Sequence, residues 1–261
     1  MSPAELLSAL TTLAHKAGQE VMKIYAEPVA AQIKSDLTPV TEADLAAEKV
    51  ILAGLARIAP DVPVISEEAA SQGRIPETAR AFFLVDPLDG TREFISRNGE
   101  FTINIALIEN GVPVAGVVYA PAISRIFIGG AQGAKQARLA PDADAASAQW
   151  QEMRALPVPA KKLRVVASRS HRDAETDAFL AQHDVGELVA AGSSLKFCLI
   201  AAAEADLYPR FGRTMEWDTA AGHAVLKAAG GRVSLADGKT PLSYGKKERG
   251  YDNPAFIAWG A

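Results

Sequence analysis

Two carboxylates follow a short apolar run in the segment Asp86-Pro87-Leu88-Asp89-Gly90-Thr91. The run Phe82 to Val85 has the composition of a buried strand, which places Asp86 and Asp89 at its end. Burying either carboxylate without a partner is costly, and hard oxygen ligands of this kind suit Mg²⁺ better than Zn²⁺. The segment therefore favours a magnesium site, and the alternative is a helix cap with an Asx turn.

Two further acidic segments also stand at the ends of predicted elements. Ser66-Glu67-Glu68 closes the preceding strand, and Trp217-Asp218 opens a much later helix. Strand and helix ends are where side chains reach a cleft, so four converging carboxylates favour a metal site. The alternatives are a solvated loop acid for Glu67 and a helix N-cap for Asp218.

Phosphate contacts are predicted next to the carboxylates. Gly90 allows the backbone to approach a ligand closely, and the amides of Gly90 and Thr91 can hold a phosphate oxygen if a helix begins there. Thr41 is a plausible N-cap, and Asp44 then lies in the first turn of the following helix, where the helix dipole favours a carboxylate.

The first half of the chain must supply helices and strands to position these groups. Ser2, Pro3 and Glu5 form a capping box ahead of one long amphipathic helix. The helix after Thr41 is expected to bury five apolar side chains: Leu45, Ile51, Leu52, Leu55 and Ile58. Short β-branched and aromatic runs then predict five strands, at 62–66, 82–86, 101–108, 112–119 and 125–128. Asn110-Gly111 indicates a hairpin between two of them.

The second half alternates strands with helices. The segment Pro141 to Pro159 has no periodic pattern and is expected to be a boundary or a long surface connection. We therefore expect an N-terminal α/β part over 1–140 with most of the metal ligands, and a C-terminal α/β part over 160–261 with the substrate-binding residues and the last ligand. Strands are predicted at 163–167, 207–208 and 256–259, and helices at 173–182, 195–205 and 218–229.

Composition limits the classes of partner. The chain has 261 residues, 27 Lys and Arg against 31 Asp and Glu, and a formal net charge of -4, so bulk nucleic-acid binding is not expected. The one cysteine, Cys198, cannot form an intrachain disulfide, and the N-terminus lacks a signal-peptide pattern, so we expect a cytoplasmic protein. No apolar stretch is long enough to span a membrane. Peripheral attachment to the cytoplasmic face of the inner membrane stays open, as does the oligomeric state.

The acidic segments together resemble the ordered signature of the lithium-sensitive, magnesium-dependent phosphomonoesterases of the inositol monophosphatase superfamily. Four segments carry this resemblance: 39–44, 66–68, 86–91 and 217–222. Three more resemble the CysQ-type 3'(2'),5'-bisphosphate nucleotidases within that superfamily: 92–94, 98–102 and 192–198. The similarity extends from the first helix to about Tyr244 and is weakest over 141–159 and at the C-terminus.

The resemblance implies a fold and a set of roles. The fold is an α/β sandwich with αβαβα layers, and the cofactor is Mg²⁺, with two or three ions per site. The implied metal ligands are Glu67, Asp86, Asp89, Asp218 and the carbonyl of Leu88. Thr91 and Asp44 fall on the pair that activates the attacking water, which displaces the leaving group in line at phosphorus without a covalent phosphoenzyme. The implied substrate contacts are Glu67, Asp89, Gly90, Thr91, His171, Ser193, Lys196, Arg210 and Asp218.

The charge at Arg210 decides between substrates. Inositol monophosphatases typically carry a glutamate there, whereas Arg210, Lys196 and Ser193 fall on positions that hold a nucleotide's second phosphate or base. The favoured function is hydrolysis of 3'-phosphoadenosine 5'-phosphate to AMP and phosphate, with its 5'-phosphosulfate relative as a further substrate, in sulfur assimilation and nucleotide recycling. The alternatives are a sugar or inositol monophosphatase of the same fold and a non-catalytic nucleotide-binding protein, which has no need of a water-activating pair.

Overall fold

The computed structural model describes residues 1–27, 31–33, 39–168 and 173–261. Within these ranges the α-helices are α1 (Pro3–Tyr25), α2 (Glu42–Ile58), α3 (Glu67–Ser71), α4 (Thr91–Ile95), α5 (Ala174–Leu180), α6 (Leu195–Ala201) and α7 (Glu216–Ala228). A small antiparallel pair, β1 (Ala31–Ile33) and β2 (Pro39–Thr41), precedes α2.

The first large sheet is almost entirely antiparallel. In the order in which they pair, its described strands are β3 (Val64–Ser66), β4 (Ala81–Asp89), β5 (Thr102–Glu109), β6 (Val112–Ala120), β7 (Arg125–Gly130), β8 (Gly133–Arg138) and β9 (Gln151–Met153). Only β3 and β4 run parallel to each other among these described strands. Asn110 and Gly111 both have positive φ, at 52° and 76°, which confirms the tight hairpin between β5 and β6.

The second large sheet is mixed. Its described strands are β10 (Leu163–Ser168), β11 (Val185–Ala191), β12 (Leu207–Arg210), β13 (Arg232–Leu235) and β14 (Phe256–Trp259), and they pair in the order β11-β10-β12-β14-β13. β10 runs parallel to β11 and β12, whereas β14 runs antiparallel to β12 and β13.

The layers follow from which helices cover which sheet face. α1 and α2 pack together on one face of the first sheet, and α7 packs with α6 on the other. The apolar cluster around α6 and α7 includes Phe82 and Val118 of the first sheet and Tyr208 and Phe256 of the second, so these helices separate the sheets. α5 covers the outer face of the second sheet, where Leu180 packs with Leu207. The αβαβα order predicted from the sequence is confirmed.

Both N-terminal helices begin at the cap residues predicted from the sequence. Ser2 and Glu5 form the predicted capping box of α1, and Thr41 caps α2 with Asp44 as its reciprocal partner. The predicted buried face of α2 was wrong at Leu45, which is 48% exposed. Gly54 instead faces α1, because a Cβ there would lie 2.3 Å from Leu13. The buried face of α2 consists of small and apolar residues and two acids: Ala43, Asp44, Ala47, Glu48, Ile51, Gly54 and Leu55.

The segment 141–159 is not simply a surface connection. β9 lies inside it and extends the first sheet by pairing with β8, and Met153 and Ala155 are buried. Three residues are too few to show alternation, so the sequence pattern did not reveal this strand. The chain passes from one sheet to the other between Met153 and Leu163, and a division into two parts there stays a prediction, since α7 packs on the first sheet.

Candidate active site

Parallel pairing brings the first two carboxylates to one edge of the first sheet. Ser66 of β3 lies opposite Val85 of β4, so the next residues, Glu67 and Asp86, emerge side by side. α3 begins at Glu67 immediately after the strand. Asp86 is 1% exposed, and burial followed by the charges of Glu67, Asp89 and Asp218 raises its pKa well above the ordinary value.

An irregularity in β4 turns Asp86 and Asp89 toward the same pocket. Asp86 pairs with Asn104 and Asp89 with Thr102, so three steps along β4 match two along β5. In a regular strand, residues three apart point to opposite faces, and the extra residue of a bulge removes that difference. Both carboxylates line the pocket, and the Leu88 amide donates to Asp86 Oδ1 at 3.0 Å. The strand thus continues to Asp89, beyond the end predicted at Asp86.

The turn after β4 places a hydroxyl against the acid of α2. Gly90 has φ 93°, a left-handed conformation suited to glycine, and α4 begins at Thr91, which meets the condition set for a phosphate contact at this turn. Thr91 Oγ1 donates to Asp44 Oδ1 at 3.1 Å, while the Thr41 amide and hydroxyl both donate to Asp44 Oδ2 at 2.7 Å. The two residues predicted to activate water are therefore in contact, although they lie 47 positions apart.

The fourth carboxylate comes from α7. Asp218 lies in the first turn of this helix, and its Oδ2 accepts a hydrogen bond from the Met215 amide at 2.8 Å. Its side chain lines the pocket formed at the end of β4. Burial, followed by the charges of Asp89 and Glu67, raises the pKa of Asp218 well above its ordinary value. Four carboxylates from three separate elements thus line one pocket and repel one another there.

Two buried cations line the same pocket and form what we call its cationic wall. Lys196 on α6 is 4% exposed, its Nζ donates to the carbonyls of Ser193 and Ala191 at 2.5 and 3.3 Å, and it lies 5.2 Å from the Tyr208 ring centroid. Burial lowers the pKa of Lys196 to about 8. Arg210, at the end of β12, is 7% exposed and donates to the Arg213 carbonyl at 2.9 Å.

The loop ahead of α6 joins this wall to the carboxylates. The Ser194 amide donates to Asp89 Oδ2 at 2.6 Å, and the Ser194 hydroxyl donates to Asn104 Oδ1 at 2.7 Å. Burial raises the pKa of Asp89 to about 6, although the Lys196 charge and the Ser194 amide act in the opposite direction. Ser193 has φ 44°, a conformation unfavourable for a residue with a Cβ, and its hydroxyl donates to the Glu100 carbonyl at 2.8 Å.

Most of the predicted site residues line this single pocket. They are Glu67, Asp86, Leu88, Asp89, Gly90, Thr91, Ser193, Lys196, Arg210 and Asp218. Asp44 lies behind Thr91 and is 1% exposed, and His171 falls outside the described residues. Seven other residues that were not predicted from the sequence also line the pocket: Arg92, Glu93, Phe197, Tyr208, Arg213, Thr214 and Thr219. The sequence Arg210-Phe211-Gly212-Arg213 could have indicated Arg213 as a site residue, because two arginines lie three positions apart where β12 ends.

Comparison with known proteins agrees with this geometry. The family model described as "Inositol monophosphatase family" matches residues 2–258. The chain belongs to the inositol monophosphatase family. It is 45% identical over 253 residues to the 3'(2'),5'-bisphosphate nucleotidase CysQ of Escherichia coli (strain K12), covering 96% of this chain and 98% of that protein.

Solved structures of family members have the same fold. The crystal structure of CysQ from Bacteroides thetaiotaomicron superposes with a TM-score of 0.80 at 37% identity, covering 99% of this chain and 97% of that one. A Thermotoga maritima IMPase superposes with a TM-score of 0.76 at 24% identity, covering 96% of this chain and 90% of that one, and shows the shared fold.

Metal dependence is typical of inositol monophosphatase family phosphatases, and the donor set here suits a hard divalent cation. No group of three or more His, Cys, Asp and Glu side chains within the described ranges is already arranged to hold a metal ion. Glu67, Asp86, Asp89 and Asp218 nevertheless line one pocket, and their mutual repulsion is the situation that a bound cation relieves. The oxygen donors therefore fit Mg²⁺.

None of the helices in the described ranges is both long enough and apolar enough to cross a membrane.

Proposed function

We propose that the chain is a magnesium-dependent 3'(2'),5'-bisphosphate nucleotidase that converts 3'-phosphoadenosine 5'-phosphate to AMP and inorganic phosphate. The observation that carries the proposal is a pocket lined both by four carboxylates, which we call the carboxylate wall, and by the buried cations Lys196 and Arg210 of the cationic wall. A substrate with two phosphates matches both walls, since one phosphate can react at a metal while the second meets the cations. The names of the CysQ relatives support the same reaction.

The carboxylate wall is proposed to bind Mg²⁺. Glu67, Asp86, Asp89, Asp218 and the Leu88 carbonyl would hold two or three ions. When bound, Mg²⁺ lowers the pKa of water and neutralises charge on the phosphoryl and leaving-group oxygens. The Ser194 amide fixes one oxygen of Asp89, and the Met215 amide fixes one oxygen of Asp218, so both side chains are oriented before a ligand arrives.

Thr91 and Asp44 are proposed to accept the proton of the attacking water. Because the Thr91 hydroxyl donates its hydrogen to Asp44 Oδ1, the lone pairs of Oγ1 can accept a proton from water. The Thr41 hydroxyl and amide hold the other oxygen of Asp44, so the carboxylate is oriented toward Thr91. As Oγ1 takes a proton from water, its own proton moves to Asp44 Oδ1, so that the water becomes the attacking hydroxide and Asp44 becomes protonated.

The cationic wall is proposed to select the substrate. Lys196, Arg210 and Ser193 would hold the non-reacting 5'-phosphate, and His171 is proposed as a further substrate contact from the family resemblance. The same wall would accept the 5'-phosphosulfate relative, because the phosphate next to the ribose keeps its negative charge. The resemblance also supports a role in sulfur assimilation and nucleotide recycling within the cytoplasm.

A phosphate-release assay tests the proposal with three substrates: 3'-phosphoadenosine 5'-phosphate, 3'-AMP and inositol 1-phosphate. The bisphosphate should give the highest kcat/KM, and activity should require Mg²⁺. Ca²⁺ and Li⁺ should inhibit, because each occupies a magnesium position with unsuitable coordination or charge. Equal kcat/KM values for the bisphosphate and inositol 1-phosphate would instead favour a sugar phosphatase, and nucleotide binding without phosphate release would favour a non-catalytic binder.

A further inference from the structure

A second buried acid lies one helical turn after Asp44 and takes no part in the proposed reaction. Glu48 on α2 is 6% exposed. Its Oε1 accepts a hydrogen bond from the Ser66 hydroxyl at 2.5 Å and another from the Ala69 amide at 3.0 Å. Ser66 and Ala69 flank Glu67 and Glu68, the first two residues of α3. Glu48 therefore contacts both sides of the position that presents Glu67 to the pocket.

These contacts replace the usual cap of a helix. A serine at the N-cap normally accepts a hydrogen bond from the second or third amide of its own helix. Ser66 is the N-cap of α3 but makes no such bond, since its hydroxyl donates to Glu48. The third amide of α3, that of Ala69, is accepted by Glu48 instead. α3 is a single turn of five residues, too short to be stable alone, so this cap from α2 fixes its start.

We propose that Glu48 is a positioning residue that fixes Glu67 for metal binding, an inference that rests on the proposed role of Glu67. Asp44 and Glu48 lie four residues apart and are both buried on the inward face of α2. One helix face thereby orients two parts of the site: Asp44 orients the Thr91 hydroxyl, and Glu48 orients the turn that carries Glu67. Loss of Glu48 should therefore weaken the divalent-cation site more than the nucleotide site.

The test measures Mg²⁺ binding directly by isothermal titration calorimetry on the full chain without substrate. Glu48→Ala should weaken Mg²⁺ binding about 10- to 100-fold, the range usual for removing a group that orients a metal ligand. Glu48→Gln keeps an acceptor oxygen for Ser66 and Ala69 and should restore most of the affinity. KM for the bisphosphate at saturating Mg²⁺ should change little in either variant, because neither contact reaches the cationic wall.

A control separates positioning from general destabilisation. Ile51→Val changes a buried side chain one turn further along α2, in the apolar cluster shared with α1, and should leave Mg²⁺ binding unchanged while lowering Tm. Unchanged Mg²⁺ affinity in folded Glu48→Ala, with normal binding in the unmodified protein, would overturn this inference alone. Absence of Mg²⁺ binding in the unmodified protein would overturn the proposed function and the inference together.

Ser66→Ala covers the case in which Glu48→Ala does not fold. This variant removes one of the two donors to Glu48 and leaves the Ala69 bond in place. It should weaken Mg²⁺ binding in the same direction but by less than the loss of both bonds. Mg²⁺ affinity equal to that of the unmodified protein would overturn the proposal.

Discussion

Lys196→Met removes the buried ammonium from the cationic wall while keeping an unbranched apolar side chain that is one atom shorter. An ammonium group has three N–H donors, and two of them are used by the Ser193 and Ala191 carbonyls within the described part of the chain. One donor is then left for a phosphate oxygen. A hydrogen bond of this charged kind contributes about 1.5–3 kcal/mol, which corresponds to about 10- to 150-fold in specificity.

The assay compares kcat/KM for 3'-phosphoadenosine 5'-phosphate with kcat/KM for 3'-AMP. The ratio should fall about 10- to 150-fold in Lys196→Met, because the group that loses its contact is the 5'-phosphate, which 3'-AMP lacks. Hydrolysis of 3'-AMP should change less than that of the bisphosphate. Lys227→Met, at an exposed lysine of α7, removes the same charge from the surface and should leave the ratio unchanged.

The pH dependence of the same ratio gives an independent check. Burial lowers the pKa of Lys196 to about 8, so the neutral amine accumulates as pH rises through about 8. Since kcat/KM reports the free enzyme, the preference for the bisphosphate should decline between pH 7 and pH 9 in the unmodified protein. Lys196→Met should have a lower preference that does not change over this range. An unchanged ratio at pH 7 in a folded Lys196→Met protein would refute the assignment of Lys196 to the second phosphate.

Three further changes test other parts of the site and the fold. Thr91→Val should lower kcat for phosphate release about 10²- to 10⁴-fold with little change in KM, because Asp44 then loses its link to the attacking water. A kcat within threefold of the unmodified value would argue against Thr91 and Asp44 as the water-activating pair. Asp218→Asn should abolish most turnover. It should leave the Tm of the metal-free protein unchanged or higher, because it removes a charge that repels Asp89 and Glu67. Normal turnover at saturating Mg²⁺ would show that Asp218 is not part of the site. Burial lowers the pKa of His223 to about 3, so its contribution to stability is complete above pH 6.5 and is lost as pH falls toward 3. Between pH 7 and pH 5 this loss in the free energy of unfolding is about 2 kcal/mol. In urea unfolding, the free energy of unfolding of His223→Gln should therefore fall by about 2 kcal/mol less over this range than that of the unmodified protein. An equal fall in both proteins would contradict a buried, neutral His223.

A local signal was sufficient to predict the start of α2, which carries Asp44, but not α3, which carries Glu67. The pattern Thr41-x-x-Asp44 specifies a capping box through hydrogen bonds within four residues, so the start of α2 could be predicted without the rest of the fold. Leu45 was misjudged because apolar character alone does not determine which face of a helix meets its neighbour, and small residues together with two acids occupy that face here. The bulge that aligns Asp86 with Asp89 depends on pairing with β5, which no local pattern encodes.

The carboxylate wall and the cationic wall are connected by contacts between residues that lie far apart in the sequence. Asp89 and Ser194 are 105 positions apart, and the bond from the Ser194 amide joins β4 to the start of α6. α6, which begins directly after Ser194, supplies Lys196, whose charge favours the ionised form of Asp89 against the effect of burial. The cation that is proposed to hold a second phosphate therefore also helps to keep one proposed metal ligand charged. Substrate selection and the carboxylate cluster are for this reason electrostatically linked, and a change in residues 192–196 is expected to affect both.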